Sequence, residues 1–109
     1  MSSRRSIQVG ILGFGNVGSG TYKTLLDNHD LIEARVGLPV RVVRVADLDW
    51  QRPRPVQVEV PPAIRTSDAW QVVRDPGIDI VVETIGGVAP ARELVLAALR
   101  SAKSVVTSN

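Results

Sequence analysis

A glycine-rich turn, Gly13-Phe14-Gly15-Asn16-Val17-Gly18, lies between the apolar segment 7–12 (IQVGIL) and a helical pattern that begins near Asn16. In a Gly-x-Gly-x-x-Gly turn, the first glycine permits a tight turn, and the second lets a ligand pyrophosphate lie against bare backbone. The third glycine lets the helix pack close to the strand. The free N–H groups at the helix start, at the positive end of its dipole, then bind phosphate. Because a strand and a helix flank it, this glycine turn (residues 13–18) predicts dinucleotide binding.

Strand and helix patterns alternate along the chain. After the strand at 7–12, Val17, Thr21 and Leu25 recur at spacings of four, which predicts one helix that runs on toward a stop at Gly37. A valine-rich strand follows at 40–46. Four of the seven prolines fall within 50–64, so we expect a loop there, with at most a short strand at 56–60.

The second half of the chain continues the alternation. We expect a short helix over 67–74 capped by Ser67 or Asp68, a buried strand at 78–82 and a last strand at 104–107. Between these two strands, Pro90 suits the first turn of a helix whose apolar face holds Ala91, Leu94, Val95, Ala98 and Leu99. Strands separated by helices predict an α/β fold, a Rossmann-like doubly wound parallel sheet in a single domain over residues 1–109.

Composition narrows the class of protein. The chain has 109 residues, of which 44% are hydrophobic, and a net charge of +2. Its arginines are scattered along the chain, and the chain has only four aromatic residues. Because no basic stripe with interleaved aromatic residues is present, we expect no nucleic-acid partner. The lack of cysteine excludes thiolate metal sites, and a single histidine leaves no histidine cluster, so we expect no metal. No apolar run reaches the ~20 residues of a membrane span. The apolar segment that follows the first five residues is too short for a signal peptide. We therefore expect a cytoplasmic domain with no membrane partner.

Asp47 follows the second strand, where a dinucleotide fold places an acid on the adenosine ribose. It comes 29 residues after Gly18, more than the usual spacing of roughly 20, and the long first helix accounts for the excess. A carboxylate there favours NAD, whereas Arg52 and Arg54 lie close enough in sequence to offset its charge and admit NADP. The alternatives are that Asp47 or Asp49 merely begins a turn and that the arginines belong to a solvated loop.

The segment Glu83-Thr84-Ile85-Gly86-Gly87 follows the strand at 78–82, at the sheet edge that faces the ligand crevice. We expect cofactor contacts at Thr84, Ile85 and Gly86, through a hydroxyl and through backbone that approaches a nicotinamide ribose. Thr107 comes to the same edge after the last strand and is a further candidate. The alternatives are a simple turn and a frayed terminus. No Ser/His/Asp set or carboxylate pair emerges, so we expect no catalytic residue in this chain.

Three motifs together resemble homoserine dehydrogenases. Residues 10–20 (GILGFGNVGSG) are similar to the opening of that family, and residues 81–88 (VVETIGGV) with 90–94 (PAREL) are similar to its second motif. Residues 103–109 (KSVVTSN) resemble its third. The resemblance covers almost the whole chain from Ile7, and its second motif is the most specific.

This resemblance implies a Rossmann-like domain that binds NAD or NADP. The enzyme it implies interconverts L-homoserine and L-aspartate 4-semialdehyde in threonine, methionine and isoleucine biosynthesis. Such an enzyme is cytoplasmic and homo-oligomeric, and its catalytic Lys and Asp lie in a substrate domain after the third motif, so this chain alone is expected to be inactive. Two residues depart from the family pattern: Ala46 stands where relatives often carry Lys or Arg, and Ala102 replaces a common glycine.

Two alternatives stay open at this point. The chain could be the cofactor domain of another small Rossmann reductase, although such enzymes are not expected to carry the segment Glu83-Thr84-Ile85-Gly86-Gly87 at this place. It could also be a stand-alone nucleotide-sensing module without catalysis.

Overall fold

The computed structural model describes residues 5–54, 56–85 and 89–108, and its strands form one parallel sheet. In chain order the strands are β1 (Ile7–Leu12), β2 (Val40–Ala46), β3 (Arg65–Thr66), β4 (Ile80–Glu83) and β5 (Ser104–Thr107). Their order across the sheet is β3-β2-β1-β4-β5, so the chain reverses its direction of travel between β1 and β4. This confirms the predicted Rossmann-like parallel sheet, since a reversal of strand order beside the first strand is typical of doubly wound folds.

Helices cover both faces of the sheet. They are α1 (Asn16–Asp27), α2 (His29–Val36), α3 (Ala69–Val73) and α4 (Ala89–Arg100), and a 3-10 turn spans Pro62–Ile64. Alternate residues of β1 enter separate apolar clusters, because successive side chains of a strand point to opposite faces. Leu12 packs with the α3 and α4 side, and Ile11 packs with the α1 side around Phe14 and Tyr22. No helix among the described residues is long and apolar enough to cross a membrane.

Gly10 lets α3 approach the middle of β1. A Cβ at Gly10 would lie 2.5 Å from Val72 Cγ1 and 3.0 Å from Ile78 Cδ1. The pairing of β1 with β2 also shifts register between Val9 and Gly10. The missing side chain therefore makes room for a branched one from the helix layer.

The single long helix that we predicted after the glycine turn is wrong. The helix is interrupted at Asn28, whose side chain donates to the Thr24 carbonyl at 2.9 Å, and α2 starts one residue later. The expected stop is confirmed, since Gly37 ends α2 in the left-handed conformation with φ of 90°. The interruption at Asn28 has a general cause, because asparagine side chains compete for nearby backbone groups and therefore favour helix ends.

The apolar residue that marks the start of α1 in the sequence is not on its buried face. Val17 is 51% exposed, whereas Gly18, Ser19 and Tyr22 are buried. Two small residues and one aromatic residue therefore form the buried face, which the spacing of apolar residues does not locate. In α4, Ala91, Leu94 and Ala98 are buried as predicted, but Leu99 is 53% exposed.

The region between β2 and α3 holds the remaining differences. The described part of residues 56–60 forms no strand, and the edge strand β3 comes later, after Pro62 has started the 3-10 turn. The Asp68 cap of α3 is confirmed by a 2.9 Å hydrogen bond from the Trp70 N–H. The strand predicted at 78–82 begins two residues later, at Ile80, and ends at Glu83, and Ile78 is buried in the core before it.

A buried lysine and a strained alanine lie at the edge of the sheet where the parallel strands begin. Lys103 donates to the carbonyls of Asp75 and Ile78, the latter at 3.0 Å. Its neighbour Ala102 has φ of 60°, in the left-handed region that favours glycine.

Candidate dinucleotide site

The three motif glycines have distinct steric surroundings. Gly13 has φ of 93°, and a Cβ there would lie 2.9 Å from Thr84 Oγ1. A Cβ at Gly18 would lie 2.0 Å from the Gly13 carbonyl oxygen. At Gly15 the nearest atom to an added Cβ is Arg52 Nη2, at 3.9 Å. The first and third glycines therefore close the turn upon itself, and the second leaves open space for a ligand.

The start of α1 faces this open space. Gly15 is the N-cap and supplies no side-chain cap, and the first turn of α1 contains no acidic residue. The exposed Asn16 and Val17 begin the helix. Backbone N–H groups and the positive end of the helix dipole are thus left to attract an anion. This arrangement is the one that the sequence predicted for a pyrophosphate.

Phe14 differs from its neighbours in the glycine turn because its side chain is buried. Only 1% of it is exposed, and its ring centroid lies 5.8 Å from that of Tyr22 and 5.3 Å from that of Trp50. The whole residue is thus enclosed: its N–H lies 3.4 Å from Asp47 Oδ1, its carbonyl accepts from Arg54 at 3.0 Å, and its ring anchors the turn to the core.

Thr84 braces the glycine turn from the neighbouring strand. Its hydroxyl donates to the carbonyl oxygens of Leu12 at 2.8 Å and of Gly13 at 3.0 Å. Its N–H also donates to Leu12 at 2.8 Å. Because the hydroxyl proton is used in this way, Thr84 can only accept a hydrogen bond from a ligand. We had expected a hydroxyl that faces the ligand, and the structure gives it a bracing contact as well.

Glu83 was not singled out from the sequence, although it is a buried acid at the crevice. It is 1% exposed, and its carboxylate accepts from the Ile85 N–H at 2.6 Å and from the Thr107 hydroxyl at 2.9 Å. It therefore joins two predicted contact residues, Ile85 and Thr107. The available signal was an acidic residue that ends the otherwise apolar strand Ile80–Glu83. Gly86 and Gly87 lie outside the described residues.

Asp47 lies beside the glycine turn, where the Phe14 N–H approaches its Oδ1 at 3.4 Å. Two arginines pair with it: Arg54 at 2.5 Å and Arg52 at 3.3 Å. Asp49, the alternative candidate, accepts from the Gln51 N–H at 2.9 Å and so forms a local turn. The turn-forming role that we considered for either aspartate thus fits Asp49.

The two arginines occupy different environments. The side chain of Arg54 is 12% exposed, and it donates to the Phe14 carbonyl at 3.0 Å and to the Asp49 carbonyl. Its guanidinium also lies 5.0 Å from the Trp50 ring centroid. The side chain of Arg52 is 49% exposed and makes the longer contact with Asp47. Arg54 is thus fixed in place, while Arg52 leaves half of its surface for another anion.

A cavity of about 300 Å³ opens beside this cluster. Phe14, Trp50 and the arginines at 52, 54 and 65 contribute to its lining, together with the loop at 56–60. The lining carries three arginines against one carboxylate, that of Glu59, so the mouth of the crevice is electropositive here, which suits a phosphorylated ligand. Among the described residues, no group of three or more His, Cys, Asp or Glu side chains could hold a metal ion.

Comparisons with known proteins agree with this geometry. A family model described as the NAD-binding domain of homoserine dehydrogenase matches residues 13–109. The homoserine dehydrogenase of Methylobacillus glycogenes is 47% identical over 108 residues, which cover 96% of this chain and 25% of that protein. The Bacillus subtilis enzyme is 40% identical over 105 residues, which cover 96% of this chain and 24% of that protein.

Solved structures give the same result. A crystal structure of Staphylococcus aureus homoserine dehydrogenase at pH 7.5 superposes with a TM-score of 0.87 at 28% identity, over 95% of this chain and 26% of that one. The homoserine dehydrogenase from Thiobacillus denitrificans superposes with a TM-score of 0.82 at 41% identity, over 95% of this chain and 23% of that one. The chain therefore spans about a quarter of the length of the relatives that it matches.

Proposed function

Because the chain belongs to the homoserine dehydrogenase family as its NAD-binding domain, we propose that it holds NAD or NADP for the interconversion of L-homoserine and L-aspartate 4-semialdehyde. The observation that carries this proposal is the open surface at Gly15, which faces the uncapped start of α1. An anion at that point meets backbone N–H groups without displacing any side chain.

The cofactor lies across the sheet in the direction that the strand order sets. In a doubly wound fold the two mononucleotide halves lie on either side of the point where the order reverses. The pyrophosphate contacts residues 13–18, the adenosine ribose reaches Asp47, and the nicotinamide half extends over Thr84, Ile85, Gly86 and Thr107. The strand order β3-β2-β1-β4-β5 supports this placement, since β2 and β4 flank β1 on opposite sides.

The arginine pair decides how a 2′-phosphate is received. Arg54 neutralises Asp47 from within the fold, and half-exposed Arg52 then adds a net positive charge at the adenosine ribose. NADP is therefore admitted in spite of Asp47, and NAD keeps a carboxylate acceptor for its ribose hydroxyls. This is the charge offset that the sequence suggested for Arg52 and Arg54.

The cofactor supplies the hydride, and the described residues of this chain bind and orient it. The groups that orient the aldehyde and protonate the forming alkoxide come from the remainder of the enzyme, as the family's greater length suggests. We further propose that the enzyme acts in the cytoplasm as a homo-oligomer on a small-molecule substrate. The domain occupies residues 1–109.

Gly15→Val tests the phosphate site. A branched side chain there occupies the surface that the pyrophosphate must approach. Losing one charge-assisted hydrogen bond, worth about 1.5–3 kcal/mol, weakens binding roughly ten- to a hundredfold. Titration of the full-length protein with NADPH and with NADH measures the loss, and circular dichroism checks the fold. Gly20→Ala is the matched control, because a Cβ at Gly20 meets nothing within 4 Å. Parent-like affinity in Gly15→Val would exclude this turn as the phosphate site.

A further inference from the structure

Glu83 is a buried acid that neither the expected phosphate contacts nor the adenosine contacts use. It ends β4, directly opposite Thr107 of β5 and Leu12 of β1 in the sheet register. Both of its carboxylate oxygens accept hydrogen bonds: Oε2 from the Ile85 N–H and Oε1 from the Thr107 hydroxyl. Burying a carboxylate costs free energy unless it is fully hydrogen-bonded, so its place at the crevice requires an explanation.

The contact with Ile85 fixes the direction of the carboxylate. The Ile85 N–H lies 2.6 Å from Oε2 and comes from the segment that covers Gly13. With Oε2 held, Oε1 is directed at Thr107, whose hydroxyl donates to it at 2.9 Å. The single proton of that hydroxyl is thereby committed to Glu83. Toward any other group, the Thr107 oxygen can act only as an acceptor.

Thr107 is exposed at the carboxyl end of β5, on the β4 side of the reversal point. That side receives the nicotinamide half of a dinucleotide. We propose that Glu83 is a positioning residue, which fixes the Thr107 hydroxyl as an acceptor for a hydrogen-bond donor on the nicotinamide half. The donor is the carboxamide N–H or a ribose hydroxyl. This inference rests on the proposed function, because it needs a dinucleotide in the crevice.

Glu83→Gln reverses the polarity of this contact with little change in size. The glutamine oxygen still accepts from Ile85, but its NH₂ group donates to Thr107 and turns the Thr107 proton toward the ligand. Thr107→Val removes the hydroxyl at an exposed site without altering the core, and Thr107→Ser keeps the hydroxyl as the matched control. Thr107→Val also keeps the test available if Glu83→Gln fails to fold.

Affinities of the full-length protein and these variants for NADH and for ADP form the test. ADP carries the adenosine and both phosphates but lacks the nicotinamide and its ribose. We expect Glu83→Gln and Thr107→Val to weaken NADH binding about three- to tenfold, the range for one hydrogen bond. Thr107→Ser should match the parent, and all variants should bind ADP as the parent does. The reduced 3-acetylpyridine analogue of NADH lacks the carboxamide N–H and so separates the two possible donors. If the parent binds NADH more tightly than this analogue and Thr107→Val does not, the donor is the carboxamide. If Thr107→Val keeps the same preference for NADH over the analogue, the donor is the ribose hydroxyl.

Other results would overturn the inference. Unchanged NADH affinity in Thr107→Val, or an equal loss of ADP affinity in Glu83→Gln, means that Glu83 only stabilises the fold. Failure of the parent to bind ADP and NADH alike would overturn the proposed function itself, together with this inference.

Discussion

The two sides of the crevice are held by different kinds of interaction. On the β2 side, Asp47 is clamped by charge, with Arg54 at 2.5 Å and aromatic rings beneath the guanidinium. On the β4 side, hydrogen bonds from Thr107 and Ile85 converge on Glu83. Charge acts over a distance and tolerates small shifts, whereas hydrogen bonds require defined geometry. The β2 side is therefore suited to setting which cofactor binds, and the β4 side to setting how the cofactor is oriented.

Of the two arginines on the β2 side, Arg54 should contribute more to the stability of the protein. Arg54→Met leaves the 9%-exposed side chain of Asp47 with two longer contacts, from Arg52 at 3.3 Å and from the Phe14 N–H at 3.4 Å. We therefore expect a loss of about 2–3 kcal/mol of unfolding free energy, near the lower limit for a broken buried pair. Arg52→Met removes only an exposed contact and should cost less than about 1 kcal/mol. Urea denaturation compares the two variants. Equal losses would show that Arg54 has no special part in the clamp.

Asp47→Ser tests whether charge on the β2 side sets the preference between NAD and NADP. Loss of the carboxylate removes repulsion of a 2′-phosphate, on the order of 1 kcal/mol at a partly exposed site. The ratio of NADP to NAD affinity should therefore rise about fivefold. Titration with both cofactors measures it, and the β4-side variant Thr107→Val, which should leave the ratio unchanged, is the control. An unchanged ratio in Asp47→Ser would assign the ribose contact to another residue.

Ala102→Gly should stabilise the domain without affecting either side of the crevice. Ala102 holds φ of 60° at the opposite edge of the sheet, where glycine avoids the steric cost of the left-handed conformation. We expect a gain of about 0.5–1 kcal/mol, because glycine's larger unfolded-state entropy offsets part of the relief. Thermal melting measures the gain, and cofactor affinity should stay at the parent value. A lower melting temperature would contradict the strain at this position.

Local patterns predicted the parts of the fold that depend on neighbouring residues. The bounds of β1, β2 and β5, the Asp68 cap and the Gly37 stop were all accessible from alternation and end signals. The break at Asn28 was not, because its side chain competes for a helix carbonyl inside an otherwise continuous pattern. Val17 is exposed although it marks the helix in the sequence, since the buried residues of α1 are Gly18, Ser19 and Tyr22.

The candidate site could be predicted only as a set of positions. The sequence placed Asp47, Thr84 and Thr107 at one sheet edge, and the structure places them there. It could not show that the Thr84 hydroxyl is turned toward the carbonyls of Leu12 and Gly13, or that Arg54 is enclosed while Arg52 is half exposed. Those properties depend on contacts between residues distant in the chain, such as the one that joins Glu83 to Thr107.

The missing side chain at Gly10 has a consequence for how this domain can diverge. Val72 occupies the space that a Cβ at position 10 would need, with only 2.5 Å between them. The two positions are therefore free to change only together: a relative with alanine at position 10 should carry a smaller residue at position 72. Substituting either one alone leaves an overpacked contact or a void, and both destabilise a core. Sequence drift in β1 is thus coupled to drift in a helix some sixty residues away, and paired substitution is the path by which the distance between these two layers can evolve.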